Sequence, residues 1–166
     1  MIDDLLGKFR RESARIEIDW RGLEDRVGFV FPQDYKELIH AFGPGVFSGY
    51  LVLWSPDVIA KVVGRQSERT DALLSPNRAF RPDELGGVIP WASSEVGLTF
   101  YWRVGSSDSS TWEVAVRFDD DEWVYRDLST ISFLDELLFD AEFGIELQGF
   151  PVAGGDQPPE FEAVTR

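Results

Sequence analysis

Apolar side chains recur at helical spacing in the opening stretch of the chain and at alternating spacing through most of its second half. Ile2, Leu5, Leu6 and Phe9 fall at i, i+3, i+4, i+7, which predicts an amphipathic helix over residues 2–11. Asp3 and Asp4 near its start and Lys8, Arg10 and Arg11 near its end suit the helix dipole. Asp19 reads as the N-cap of a short second helix with Trp20, Leu23 and Val27 on its inner face and Gly28 closing it. Pro32 fits the first turn of a third helix, whose stripe is Tyr35, Leu38, Ile39 and Phe42. Gly43 and Pro44 stop it.

The period then changes to two. Tyr50, Val52 and Trp54 alternate with Leu51 and Leu53, and with both faces apolar this strand is expected to be central. Pro56, Val58, Ile59, Val62 and Val63 predict a further helix, and residues 64–87 a helix remnant followed by a long connection. A short strand spans Val88 to Trp91. Leu98, Phe100, Trp102 and Val104 face one way against Thr99, Tyr101 and Arg103; Trp112, Val114, Val116 and Phe118 repeat the pattern against Glu113 and Arg117. Trp123 and Tyr125 begin a last strand, with turns at 105–110 and 119–122. Ser132 to Asp135 fits a capping box for a final helix that buries Phe133, Leu134, Leu137 and Leu138. From Gly149 the chain is rich in Gly, Pro and acids. The expected fold is α+β: N-terminal helices, an antiparallel, mostly meander sheet of about five strands and a closing C-terminal helix. Residues 1–148 form the single domain, and 149–166 a loosely ordered tail.

Charge adds an asymmetry. The 166 residues carry a formal net charge of −14, yet residues 1–81 hold 12 basic and 12 acidic groups, so the whole excess lies in 82–166. With 43% hydrophobic and 14% aromatic residues this is no disordered acidic chain. The negative charge repels phosphate and argues against direct nucleic-acid binding. The chain has no cysteine and one histidine. That excludes disulfides, thiolate chemistry and a two-histidine metal site within one chain. No segment reaches the ~20 apolar residues of a bilayer span, and the N-terminus lacks a signal-peptide pattern. The expectation is a cytoplasmic protein with no cofactor and no membrane contact.

Candidate chemistry is sparse. The glycines at 43, 45 and 49 follow a helix and precede a strand, the reverse of a dinucleotide loop. His40 points about 140° from the apolar stripe of its helix and reads as a solvated side chain. Thirty acids always supply some pair suited to glycoside hydrolysis, but no motif selects one. Asp119-Asp120-Asp121-Glu122 is the densest charge run. It suits a hairpin tip, and it lacks the spacing of a calcium loop. Beside Trp123 and Tyr125 it also suits a contact patch for a cationic protein.

The order of residues resembles the opening of SUKH superfamily domains, which include fungal cell-wall-assembly regulators and bacterial immunity proteins. The stretches are Trp20-Arg-Gly-Leu23-Glu24, then Phe31-Pro32-Gln-Asp34-Tyr35-Lys-Glu-Leu38, then Gly43-Pro-Gly45, with Phe31 where the family usually has Leu. The likeness extends over about residues 15–140 through Pro90-Trp91, Trp102, Trp112, Tyr125 and Phe133-Leu134. It implies an α+β fold without a cofactor or catalytic residues, and a bacterial protein that neutralises a toxin of a polymorphic toxin system. Trp20, Leu23, Glu24, Pro32, Tyr35, Leu38 and Gly43 read as scaffold. The partner expected from the charge is basic, the resemblance implies a nuclease-like toxin, and the expected contact face comprises Glu95, Asp108, Glu113, Asp119, Asp120, Asp121, Glu122, Trp123 and Asp127. The alternatives are a non-enzymatic regulatory module that binds another protein, and a small carboxylate-based hydrolase.

Overall fold

A computed structural model describes residues 2–11, 16–66, 77–82, 84–147 and 159–164. Its elements are α1 (Ile2–Lys8), β1 (Arg10–Arg11), α2 (Trp20–Val27), α3 (Gln33–Phe42), β2 (Gly45–Phe47), β3 (Leu51–Leu53), α4 (Pro56–Gln66), β4 (Val88–Ser94), β5 (Thr99–Arg103), β6 (Glu113–Arg117), β7 (Trp123–Arg126), α5 (Thr130–Phe139), α6 (Ala141–Glu146) and β8 (Glu160–Ala163). The class is α+β.

The helix signals at the front are realised closely. Asp19 accepts from the Gly22 N–H at 3.0 Å and so caps α2. Tyr35, Leu38, Ile39 and Phe42 are all fully buried, and Gly43 ends α3 by donating to the Ile39 carbonyl. Helix α1 is shorter than its apolar spacing predicts. It stops at Lys8, and Arg10 and Arg11 form a two-residue strand instead of a last helical turn. Helix α5 starts a turn early: Ser129, not Ser132, is the N-cap and accepts from the Ser132 N–H at 3.3 Å.

The sheet is larger than expected. Among the described residues it holds eight strands in the order β1-β8-β2-β3-β4-β5-β6-β7. From β2 to β7 it is an antiparallel meander, and β8 extends it antiparallel on the far side of β2. Only β1 runs parallel to its neighbour, β8. Three features account for the excess over five strands, the first being β1 in place of the last turn expected of α1. The glycine-rich run before the strand expected at Tyr50–Trp54, expected only to stop α3 and turn, contains β2, which forms a hairpin with β3, reversed at Ser48 and Gly49, both at positive φ, with the Tyr50 N–H donating to Phe47. The segment read as tail contributes β8. The closing helix is therefore followed by a strand at 160–163; of the expected tail, 149–158 and 165–166 lie outside the described residues. Gly45 makes this junction possible. A Cβ there would lie 2.3 Å from the Glu162 carbonyl and 2.4 Å from the Phe161 ring. Of the expected long connection, Ala79 bridges Val88 and Arg81 bridges Glu84, while 67–76 and 83 lie outside the described residues.

Helices α1, α3 and α5 pack against one another and contribute to one aromatic core with one face of the sheet. Trp91, whose burial the sequence does not settle, is fully buried and stacks on Trp102 at 6.0 Å; Tyr35 meets Trp102 edge-on at 5.0 Å. Each such ring hides roughly 150–250 Å², about 4–6 kcal/mol of transfer free energy. The opposite face of the sheet carries a small second cluster: Ala79, Val88, Tyr101 and Ala115, flanked by Trp123 and Tyr125. Among the described residues no helix is long and apolar enough to cross a membrane.

Candidate protein-docking surface

The β6–β7 turn is built by its acids. The Asp121 N–H donates to the Phe118 carbonyl at 3.1 Å, and the Phe118 N–H to the Glu122 carbonyl at 2.9 Å. That leaves a three-residue loop whose last member, Asp121, sits at φ 66°. A short polar side chain tolerates this region best after glycine. Asp121 is further held by the Arg117 guanidinium, whose Nε donates to it at 3.0 Å. Asp120 accepts from the Glu122 N–H at 3.3 Å. Asp119 and Glu122 make no ion pair among the described residues and are exposed, as is Asp120.

The β4–β5 turn lies alongside. A Cβ on Gly97 would fall 2.4 Å from both Asp119 carboxylate oxygens. Glu95, in that turn, is exposed and donates its N–H to the Tyr50 carbonyl at 3.0 Å. Glu95 and Asp119 to Glu122 therefore share one end of the sheet.

The remaining members of the expected face do not join them. Asp108 belongs to the β5–β6 connection at the opposite end, where it caps the short 3₁₀ turn Ser109–Thr111. The hydroxyl and N–H of Ser110 donate to its carboxylate and hold it below the ordinary range. Glu113 opens β6 at that same end and pairs with Arg103 at 3.2 Å. Asp127 follows β7 there, exposed. The single face expected from sequence is thus two groups at opposite ends. Alternation in a meander carries the signal that sorts them: every second turn returns to the same end.

Trp123 points to the outer sheet face. Its ring lies 5.1 Å from Tyr101, and its Nε1 is buried without a hydrogen-bond partner. Beside it, Arg103 lies over the Tyr125 ring at 4.9 Å, and the Tyr125 hydroxyl accepts from Asn77 at 2.9 Å. Burial raises the pKa of Tyr101, an effect partly offset by the Arg117 charge and hydrogen bond.

The seven motif residues act as scaffold, two of them through polar contacts that their spacing does not announce. Glu24 accepts from the Phe31 N–H at 3.0 Å and from Lys36 Nζ at 2.5 Å, tying α2 to the entry of α3. The Tyr35 hydroxyl donates to the Trp54 carbonyl at 2.6 Å. Leu23 and Leu38 are buried, and Pro32, also buried, stands at the N-cap of α3. Glu24 is only partly buried, and so is Trp20. One side of it packs edge-on to Phe31 and Tyr35; the other, beneath Lys36, faces solvent. Two shallow hollows flank it, of about 520 and 620 Å³, and exposed His40 borders both.

No family model, curated protein or solved structure matches the chain. The geometry therefore carries the functional argument. Among the described residues the two acidic turns bring Glu95, Asp119, Asp120 and Glu122 to one end of the sheet, exposed and without a described ion pair. They can attract and orient a cationic protein surface.

Proposed function

We propose that this chain is a bacterial immunity protein of the SUKH type that binds and neutralises a basic, nuclease-like toxin in the cytoplasm. The observation that supports it most is the convergence of Glu95, Asp119, Asp120 and Glu122 from two sequence-distant turns at one end of the sheet. A nuclease toxin needs positive charge to hold phosphate, and an acidic protein end competes for that surface. The charge asymmetry and the likeness of the Trp20–Gly45 stretch to SUKH domains support the same reading. Affinity comes from buried aromatic anchors near the acids, and charge contributes mainly to the rate of encounter.

The test separates rate from affinity. Co-expression with the neighbouring gene product and co-purification identify the partner. Asp119, Asp120 and Glu122 are then reversed to Lys, leaving Asp121 in place because it holds the turn with Arg117. The association rate at low salt is expected to fall by roughly tenfold or more and to converge with the parent at high salt. An unchanged association rate refutes this choice of surface, and the absence of a toxin among the partners refutes the immunity reading.

A further inference from the structure

Strand β7 ends the sheet, and no described strand pairs with its outer edge. The bond from the Phe118 N–H to the Glu122 carbonyl sets which groups are spent on β6. From that pair the ladder alternates: Val124 and Arg126 exchange bonds with Val116 and Val114, and Trp123 and Tyr125 turn their N–H and C=O groups outward. The outward Tyr125 carbonyl takes the neighbouring Arg126 Nη1 at 3.1 Å. The Trp123 N–H and C=O and the Tyr125 N–H have no backbone partner among the described residues. Such an edge is a template for an added strand.

The surroundings decide which strand. Asp119, Asp120 and Glu122 stand at one end of β7 and Asp127 at the other. A second copy is disfavoured. Antiparallel self-pairing about Val124 sets Asp121 against Asp127 and Glu122 against Arg126 of the other copy, so the register itself is neutral, but it joins two chains that each carry −14. Like charges opposite one another destabilise a strand pair, and opposite charges stabilise it. Net charge thus opposes a second copy, while the acids at both ends of β7 favour a cationic strand.

We propose that a Lys- or Arg-bearing extended segment of the partner adds to β7 as a ninth strand, hydrogen-bonded to Trp123 and Tyr125 and steered by the acidic turn. This rests on the proposed function above and says how that partner docks. The Trp123 indole, already laid on Tyr101, offers its remaining surface to an outward side chain of the incoming strand.

The full chain is titrated at low salt with a capped heptapeptide alternating lysine and valine, and amide hydrogen exchange is followed by NMR. The Trp123 and Tyr125 amides are expected to gain about tenfold protection or more. The same peptide N-methylated on alternate residues keeps its charge and loses its donors, and is expected to bind at least about tenfold more weakly. Equal binding of the methylated peptide, protection elsewhere in the sheet, or concentration-dependent protection of these amides in the peptide-free chain overturns the proposal. The two readings fail separately. A bound toxin that leaves the Trp123 and Tyr125 amides unprotected refutes strand addition alone; peptide addition at β7 without any toxin partner refutes the immunity reading alone.

Discussion

Asp34 ties two helices together, and removing it measures how much of the fold depends on that tie. Its carboxylate accepts from the Ile131 N–H at 3.1 Å and from the Thr130 hydroxyl at 3.2 Å, both in the first turn of α5. Thr130 in turn accepts from the Trp102 indole at 3.0 Å inside the core. A side chain of α3 thus acts as a second cap on α5, from 97 residues away. Losing a cap costs about 0.5–2 kcal/mol, and a hydrogen bond to a charged group is worth about 1.5–3 kcal/mol. Ser129 still caps α5 in the variant, so the contributions do not add fully. Asp34→Ala is expected to cost about 2 kcal/mol, or roughly 4–8 °C in Tm at this chain length. Asp34→Asn keeps an acceptor and loses the charge, and should cost about half as much. Denaturant unfolding followed by tryptophan fluorescence measures both. A double-mutant cycle with Thr130→Val should show coupling of about 0.5 kcal/mol or more. Equal costs for Ala and Asn, or zero coupling, would refute the cross-helix cap.

Glu24→Ala removes the acceptor for both Phe31 and Lys36, whose ion pair with Glu24 leaves each side chain 18% exposed; a loss of about 2 kcal/mol is expected, and Glu24→Gln should recover about half of it in the same unfolding assay. Gly45→Ala places a methyl against Phe161 and Glu162 and should cost about 1–3 kcal/mol; hydrogen exchange should show the loss concentrated in β8 and β2, and a neutral result would contradict the β2–β8 pairing. Burial, reinforced by the Asp57 charge, raises the Tyr35 pKa well above its ordinary value, and burial also raises Tyr50 and Tyr101. The folded state therefore holds these protons more tightly than the unfolded chain. The stability this represents is complete below about pH 10 and is lost as pH rises from there toward the raised values. Tyrosinate absorbance should appear together with unfolding, and a Tyr35 that titrates freely in the folded chain would refute its burial.

What the sequence makes legible follows from the range of the interactions involved. Helices α2 and α3 are specified within their own turns, by Asp19, by the Tyr35–Phe42 stripe and by Gly43, so spacing alone finds them. Strand β8 is not. Glu160 to Ala163 carries one large apolar residue, and its strand state comes from Phe161 packing on Phe42 and Phe47 at 5.0 and 4.7 Å. The start of α5 is misplaced for a related reason: Ser129 and Ser132 are equivalent local signals, and the distant Asp34 acts on the Thr130–Ile131 turn between them. At the docking surface, the acidic run is legible as a hairpin tip. Glu95 and Asp108 look alike in sequence, and only the order of the turns puts one beside Asp119 and sends the other to the far end of the sheet.

Strand β8 also governs when the fold can be finished during synthesis. Phe47 waits for Phe161, more than a hundred residues later, while the whole meander and both late helices emerge from the ribosome. Until then β2 presents a bare edge with the aromatic ring of Phe47 beside it. A chain truncated before residue 160 keeps that edge permanently open, which makes incomplete products prone to aggregation and visible to chaperones and proteases. Strand β8 thus joins the sheet only after every other described strand has been made.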